Sequence, residues 1–123
     1  MTQVIFTPVS SAEMSSLPKM LQLQVLNEFQ VLTPNFVEES PEAFGRMKRG
    51  DQEVFRYRTG EYRIYFEQAE EGVIVHRVLH ANTLKDFYYR SQLPVSEDEE
   101  LQQNPNFWKL IDQPESSQLA QDE

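Results

Sequence analysis

Two histidines, His76 and His80, stand four residues apart in GVIVHRVLHAN, and the chain has no others. Paired histidines invite a metal or an acid/base role. Their neighbours are β-branched and apolar, so Val73–Leu79 reads as a strand, one that is central in its sheet. On a strand, His76 and His80 share one face about 13 Å apart, from roughly 3.3 Å of rise per residue. Two ligands of one zinc must each lie about 2 Å from the ion, so the spacing predicts no metal site and His76 is read as structural. Nucleophilic catalysis has no better footing: there is no cysteine, no Gly-x-Ser-x-Gly elbow and no serine near either histidine. The four glycines are dispersed and form no phosphate loop. No cofactor is implied.

What remains is a set of arginines on adjacent strands, Arg56, Arg58, Arg63 and Arg77, interleaved with Phe55, Tyr57 and Tyr65. Arg56 and Arg58 share one strand face. Guanidinium planes beside tyrosines suit phosphate contacts and base stacking, which is how single-stranded RNA is held. The alternative is a solvated sheet face on which Glu53, Glu61 and Glu67 are cross-strand partners.

The elements that must position these groups follow from pattern and punctuation. Val4–Phe6 before Thr7-Pro8 predicts a first strand over about residues 3–7. Leu17, Met20, Leu21, Leu23, Leu26 and Phe29 recur at a helical period, predicting a helix through about Val31, stopped by Thr33-Pro34. Ser40-Pro41-Glu42 reads as an N-cap with proline at the first helical position, opening a short second helix through about Lys48 that Gly50-Asp51 breaks. In VFRYRTGEYRIYFE, Thr59-Gly60-Glu61 is a turn between two strands or a bulge within one. Tyr62, Ile64 and Phe66 share one face there, and Arg63, Tyr65 and Glu67 the other. Glu70-Glu71-Gly72 is a hairpin turn. Leu84–Leu93 is a short helix or turn ended by Pro94. The order of elements predicts an α+β domain with helices on one face of an antiparallel β-meander.

A length of 123 residues fits one domain with a modest core, and 39% hydrophobic content argues for a folded chain. No apolar run nears the roughly 20 residues of a membrane helix, and MTQVIFTPVSS lacks a basic, then apolar, leader pattern. A soluble, cytoplasmic protein is the expectation. The net charge of −9 is unevenly spread. Residues 1–94 hold 10 basic and 12 acidic side chains, a net of −2, whereas residues 95–123 hold 1 and 8, a net of −7. Residues 46–90 hold 9 basic and 7 acidic groups, a net of +2. A domain, 1–94, whose middle is locally basic therefore precedes an acidic tail, 95–123. Within the tail, Ser96-Glu97-Asp98-Glu99-Glu100 suits a helix N-terminus. Asn104-Pro105 then precedes an apolar patch of Phe107, Trp108, Leu110 and Ile111, and the polar end is expected to be disordered.

The order of elements and the segment RMKRGDQEVFRYRTGEYRIYFEQAEEGVIVHRVLH resemble the RelE/ParE toxin superfamily. Arg56-Tyr57-Arg58-Thr59-Gly60-Glu61-Tyr62-Arg63-Ile64-Tyr65-Phe66 carries the resemblance, and Val78-Leu79-His80 begins the ending of the family's next strand. The likeness covers roughly residues 3–93. The form Leu79-His80-Ala81-Asn82-Thr83-Leu84-Lys85-Asp86-Phe87 resembles divergent RelE-like proteins of a cyanobacterial type. The resemblance implies a RelE-like fold with an N-terminal strand and two helices on the meander, extended by the acidic tail. In the family's ribosome-dependent mRNA interferases, basic residues stabilise charge while an RNA 2′-OH attacks the adjacent phosphate, and a side chain serves as acid or base. Carried over by position, the catalytic set is Arg56, Arg63, His80 and Tyr88 or Tyr89.

Three departures redirect that expectation. Ala81 follows His80 where the family often has arginine, Val54 stands where a lysine is expected, and Asn82–Asp86 lengthens the approach to the aromatic. Losing one electrostatic donor typically costs about 10²–10³ in rate. The expected function is therefore a RelE-like regulator in RNA metabolism or translation that binds protein, for example a ribonuclease it inhibits, and is not itself a nuclease. Arg58, Tyr65, Arg77, Phe107 and Trp108 are its expected RNA- or partner-binding residues. The tail has three expected places: out in solvent as an aromatic anchor for a basic partner such as a ribonuclease or the ribosome, folded back over the arginine face in place of an antitoxin, or a plain solubilising, partly disordered extension. The alternative function is an active mRNA interferase toxin of a toxin–antitoxin pair.

Overall fold

The computed structural model describes residues 3–88 and 96–112. The chain runs β1 (Gln3–Phe6), α1 (Pro8–Ser15), α2 (Lys19–Gln30), α3 (Phe36–Glu39), β2 (Phe44–Arg49), β3 (Gln52–Thr59), β4 (Tyr62–Ala69), β5 (Gly72–His80), α4 (Ala81–Tyr88), α5 (Ser96–Gln102) and α6 (Pro105–Asp112). The five strands form one sheet in the order β1-β5-β4-β3-β2. β3 to β5 make the expected antiparallel meander, and β2 extends it antiparallel to β3. β1 pairs with β5 in parallel, so the sheet as a whole is mixed.

The first 18 residues carry a helix that periodicity did not mark. Pro8 opens α1 because its missing N–H is not needed there, and the Thr7 hydroxyl accepts from Ser10 N–H. Buried Ser10 in turn donates to the Val75 carbonyl at 2.7 Å, tying α1 to β5. Pro18 stands at the N-cap position of α2. The expected second helix over Pro41–Lys48 is not formed. Phe36–Glu39 makes a single turn, Ser40–Ala43 turns the chain, and Phe44–Arg49 is a strand. Pairing decides this: Phe44 to Arg49 match Tyr57 to Gln52 residue for residue. Phe44 and Met47 then enter opposite cores. Gly50 supplies the positive φ of the tight β2–β3 turn and Gly60 that of β3–β4, which resolves Thr59-Gly60-Glu61 as a turn between strands.

Each sheet face carries its own core. On the first, α1, α2 and α3 cover Phe44, Phe55, Tyr57, Ile64, Phe66, Val73, Val75 and Val78. Phe29 and Phe36 are its centre, with ring centroids 4.7 Å and 4.9 Å from Phe66 and Phe55. On the second, Met47, Val54, Tyr65 and Leu79 meet Leu84 of α4, Leu101 of α5 and Phe107, Trp108 and Ile111 of α6. Helices therefore cover both faces. The acidic stretch from Ser96 folds back onto the sheet, while residues 113–123, expected to be disordered, lie outside the described residues. No helix among the described residues is long and apolar enough to cross a membrane.

Candidate RNA-facing site

The second sheet face gathers most of the predicted arginine set. Arg56 on β3 stands beside Tyr65 on β4, and Tyr65 beside Arg77 on β5. These three form a row across the sheet, because residues in register on neighbouring strands point to the same side. Arg58 and Arg63 face each other one step further along the same side, both half-buried. The Arg63 guanidinium turns toward the β3–β4 turn, donating to the Gly60 and Tyr62 carbonyls, each at 3.1 Å.

α5 and α6 lie on this row. Arg56 is 4% exposed, and its Nη1 donates to Asp98 Oδ2 at 2.6 Å. A charge so far out of water needs a charged partner, and α5 brings it. The position opposite Arg56 on β2 is Gly45. A Cβ there would fall on Asp98 Oδ2 and within 2.8 Å of Arg56 Nη1. Gly45 has no positive φ, so it is the room it leaves for the ion pair that matters. Tyr65 is fully buried under Phe107, with ring centroids 5.0 Å apart at 73°. Arg77 is held from both sides: Glu13 of α1 accepts from its Nη2 at 2.6 Å and its Nε at 3.1 Å, and the Leu110 carbonyl of α6 accepts from its Nη1 at 3.3 Å. Phe107 and Trp108 thus take the second of their expected places, over the arginine face.

The outer end of the cover is fixed by Arg49, a residue the arginine pattern did not single out. It donates to both Asp112 oxygens, at 2.7 Å and 2.6 Å, and its guanidinium lies 4.5 Å from the Trp108 ring centroid. Hydrogen bonds from Arg49 hold the Asp112 carboxyl below the usual carboxylate range, although burial pulls the other way. The same bonds raise the Arg49 guanidinium. Trp108 Nε1 donates to the Gln102 carbonyl at 2.8 Å, and Gln102 Oε1 accepts from the Lys48 backbone N–H at 2.8 Å. Asp98 and Asp112 could be found in advance only as acidity in the tail, and Gln102 and Gly45 carried no signal, since all four roles depend on contacts between the tail and β2 or β3.

The histidines part company. β5 is irregular opposite Tyr65/Phe66: Phe66 pairs with Val75 and Tyr65 with Arg77, leaving His76 as an extra residue. This bulge shifts the alternation by one. His76 accordingly lies on the covered face, with Nε2 3.3 Å from Glu67, which also accepts from Gln52 at 2.6 Å. His80 pairs with Tyr62, its ring edge-on at 5.2 Å, and Tyr62 packs on the first core. The expectation that the two histidines share a face is thus corrected. His80 Nδ1 accepts from Asn82 N–H at 3.0 Å, which places the ring proton on Nε2. It stands at the end of β5, away from the Arg56–Tyr65–Arg77 row. Tyr88 closes α4, and Tyr89 lies outside the described residues.

Against solved structures, the chain is similar to RelE in the RelE–RelB complex of Pyrococcus horikoshii, with a TM-score of 0.53 and 18% identity, over 65% of this chain and 94% of that one. The fold is RelE-like. The toxin–antitoxin complex RelBE2 of Mycobacterium tuberculosis is also similar, at TM-score 0.44 and 24% identity, over 64% of this chain and 96% of that one. So is the RelB–RelE complex of Methanococcus jannaschii, at 0.47 and 20%, over 68% and 96%. No protein-family model and no curated protein matches the chain. In the Pyrococcus match about a third of this RelE-like chain falls outside the likeness.

Proposed function

We propose that this RelE-like protein acts on RNA as a ribosome-dependent mRNA interferase of the toxin–antitoxin kind. The observation that carries this reading is the Arg56–Tyr65–Arg77 row on one face of a RelE-like sheet, with Arg58 and Arg63 beside it. Guanidinium groups in a low-dielectric site stabilise the charge that develops on phosphate when the 2′-OH attacks. With Phe107 displaced, Tyr65 offers a ring on which a base stacks. His80, the last residue of β5, and Tyr88, the last of α4, are the acid/base candidates, and an antitoxin is the corresponding protein partner. Induced expression of the full chain tests the reading. Growth arrest with cleavage of ribosome-bound mRNA is expected, and both should fall on Arg63→Ala. Normal growth and intact mRNA would refute it.

A second reading is favoured by the covered face: Arg56 and Tyr65 are buried and His80 lies apart from them. On that reading the chain is a regulatory protein of RNA metabolism that works by binding protein, for example a ribonuclease it inhibits. Capture of a ribonuclease by the full chain, with no growth arrest, is its expected result.

A further inference from the structure

The cover over the arginine row is built from the wrong charge for a passive lid. Residues 95–123 carry a net of −7 against +2 for residues 46–90, and among the described side chains two of their carboxylates land on arginines of the sheet. Asp98 meets Arg56 and Asp112 meets Arg49. Along β2, Gly45 lies beside Arg56 and Arg49 follows four residues later, so the two contacts are separated by about 13 Å of strand. Phe107 lies edge-on against Tyr65, beside Arg56 in the same cross-strand row, and the Arg49 guanidinium lies over the Trp108 ring. Anion, aromatic ring, anion is the composition of a single-stranded nucleic acid. The site beneath accepts both halves of it.

Resting on the RNA-directed reading above, we propose that α5 and α6 are a cover in cis that imitates single-stranded RNA. Asp98 and Asp112 occupy phosphate positions on Arg56 and Arg49, and Phe107 covers the Tyr65 ring against which a base would otherwise stack. RNA gains access by displacing the two carboxylates. Among the described residues the cover is held by the Arg56–Asp98 and Arg49–Asp112 pairs, by hydrogen bonds from Lys48 N–H to Gln102 and from Arg77 to the Leu110 carbonyl, and by an apolar patch, whereas the first core on the opposite face is a separate cluster. Opening therefore leaves the helices α1 to α3 packed. Because cover and RNA compete for one set of cations, the apparent affinity for RNA is set by the fraction of molecules whose cover is open.

Gly45→Ala tests this without removing any charge from the face, since the new methyl falls on the Asp98–Arg56 pair. Asp98→Asn tests it from the cover side. Trp108 is the chain's one tryptophan and sits in α6, so its emission reports the cover directly, and binding of a labelled oligouridylate reports the face. Both full-length variants should show red-shifted Trp108 emission and bind the oligouridylate about tenfold tighter than the parent. A displaced Trp108 with unchanged RNA affinity would overturn the proposal. So would an unmoved Trp108 in both variants, because the pair would then not seat the cover. Tighter RNA binding with no mRNA cleavage in either variant would refute the interferase reading and leave the cover standing.

Discussion

Arg56 and Asp98 are 42 positions apart in the chain and meet at 2.6 Å beneath α5, with Gly45 leaving the space for both. This contact joins the basic sheet to the acidic extension. Breaking a buried pair from one side leaves the other charge stranded, at about 3–5 kcal/mol when burial is complete. Asp98 retains some solvent contact. Arg56→Ala is thus expected to cost up to about 3 kcal/mol in denaturant unfolding. Arg56→Met combined with Asp98→Leu should recover most of it.

The Arg49–Asp112 contact predicts an acid limit for the cover. Asp112 has its folded pKa depressed, chiefly by hydrogen bonds from Arg49. Its contribution is therefore fully present above the ordinary aspartate range and is lost as pH falls through the depressed value. Trp108 emission should shift on acidification below about pH 4. Asp112→Asn should show the loosened signal at neutral pH and a flatter acid titration. Added salt should reduce the difference between parent and variant, because both side chains of this pair are solvent-accessible.

Glu13 carries α1 onto β5 through two different donors. It accepts from Arg77 and, at 2.8 Å, from the Val78 backbone N–H. Glu13→Ala strands a buried N–H and loosens Arg77, so a loss of about 1–3 kcal/mol is expected in chemical denaturation. Glu13→Gln keeps an acceptor for Val78 N–H and should lose clearly less.

α2 gives an internal contrast between its two sides. Phe29 is fully buried among Phe66 and Tyr57, and Phe29→Ala should cost about 3–5 kcal/mol. Met20 and Val31 lie on the opposite side, 77% and 72% exposed. Met20→Ser and Val31→Ser should stay within about 0.5 kcal/mol of the parent. Thermal or urea unfolding of the three variants checks both statements.

Much of this arrangement was legible along the chain. Alternation in Tyr62–Glu67 assigned Ile64 and Phe66 to one face and Tyr65 and Glu67 to the other, as the two cores confirm. Gly60 marked its turn, the leucine period marked α2, and the resemblance named the RelE-like fold. These are local signals, repeating at 2 or 3.6 residues or requiring one residue's φ. β2 was misread because Ser40-Pro41-Glu42 satisfies the rule for a helix start, and six residues of Phe44–Arg49 are too few for period to decide. Only the ladder to β3 makes it a strand. The parallel pairing of β1 with β5 and the bulge at His76 likewise have no local mark, and the bulge alone separates His76 from His80. Composition determined that an acidic, aromatic segment follows a basic sheet. Which face it covers, and which carboxylate meets which arginine, was decided by tertiary structure, because a charge has no direction until the fold brings its partner within a few ångströms.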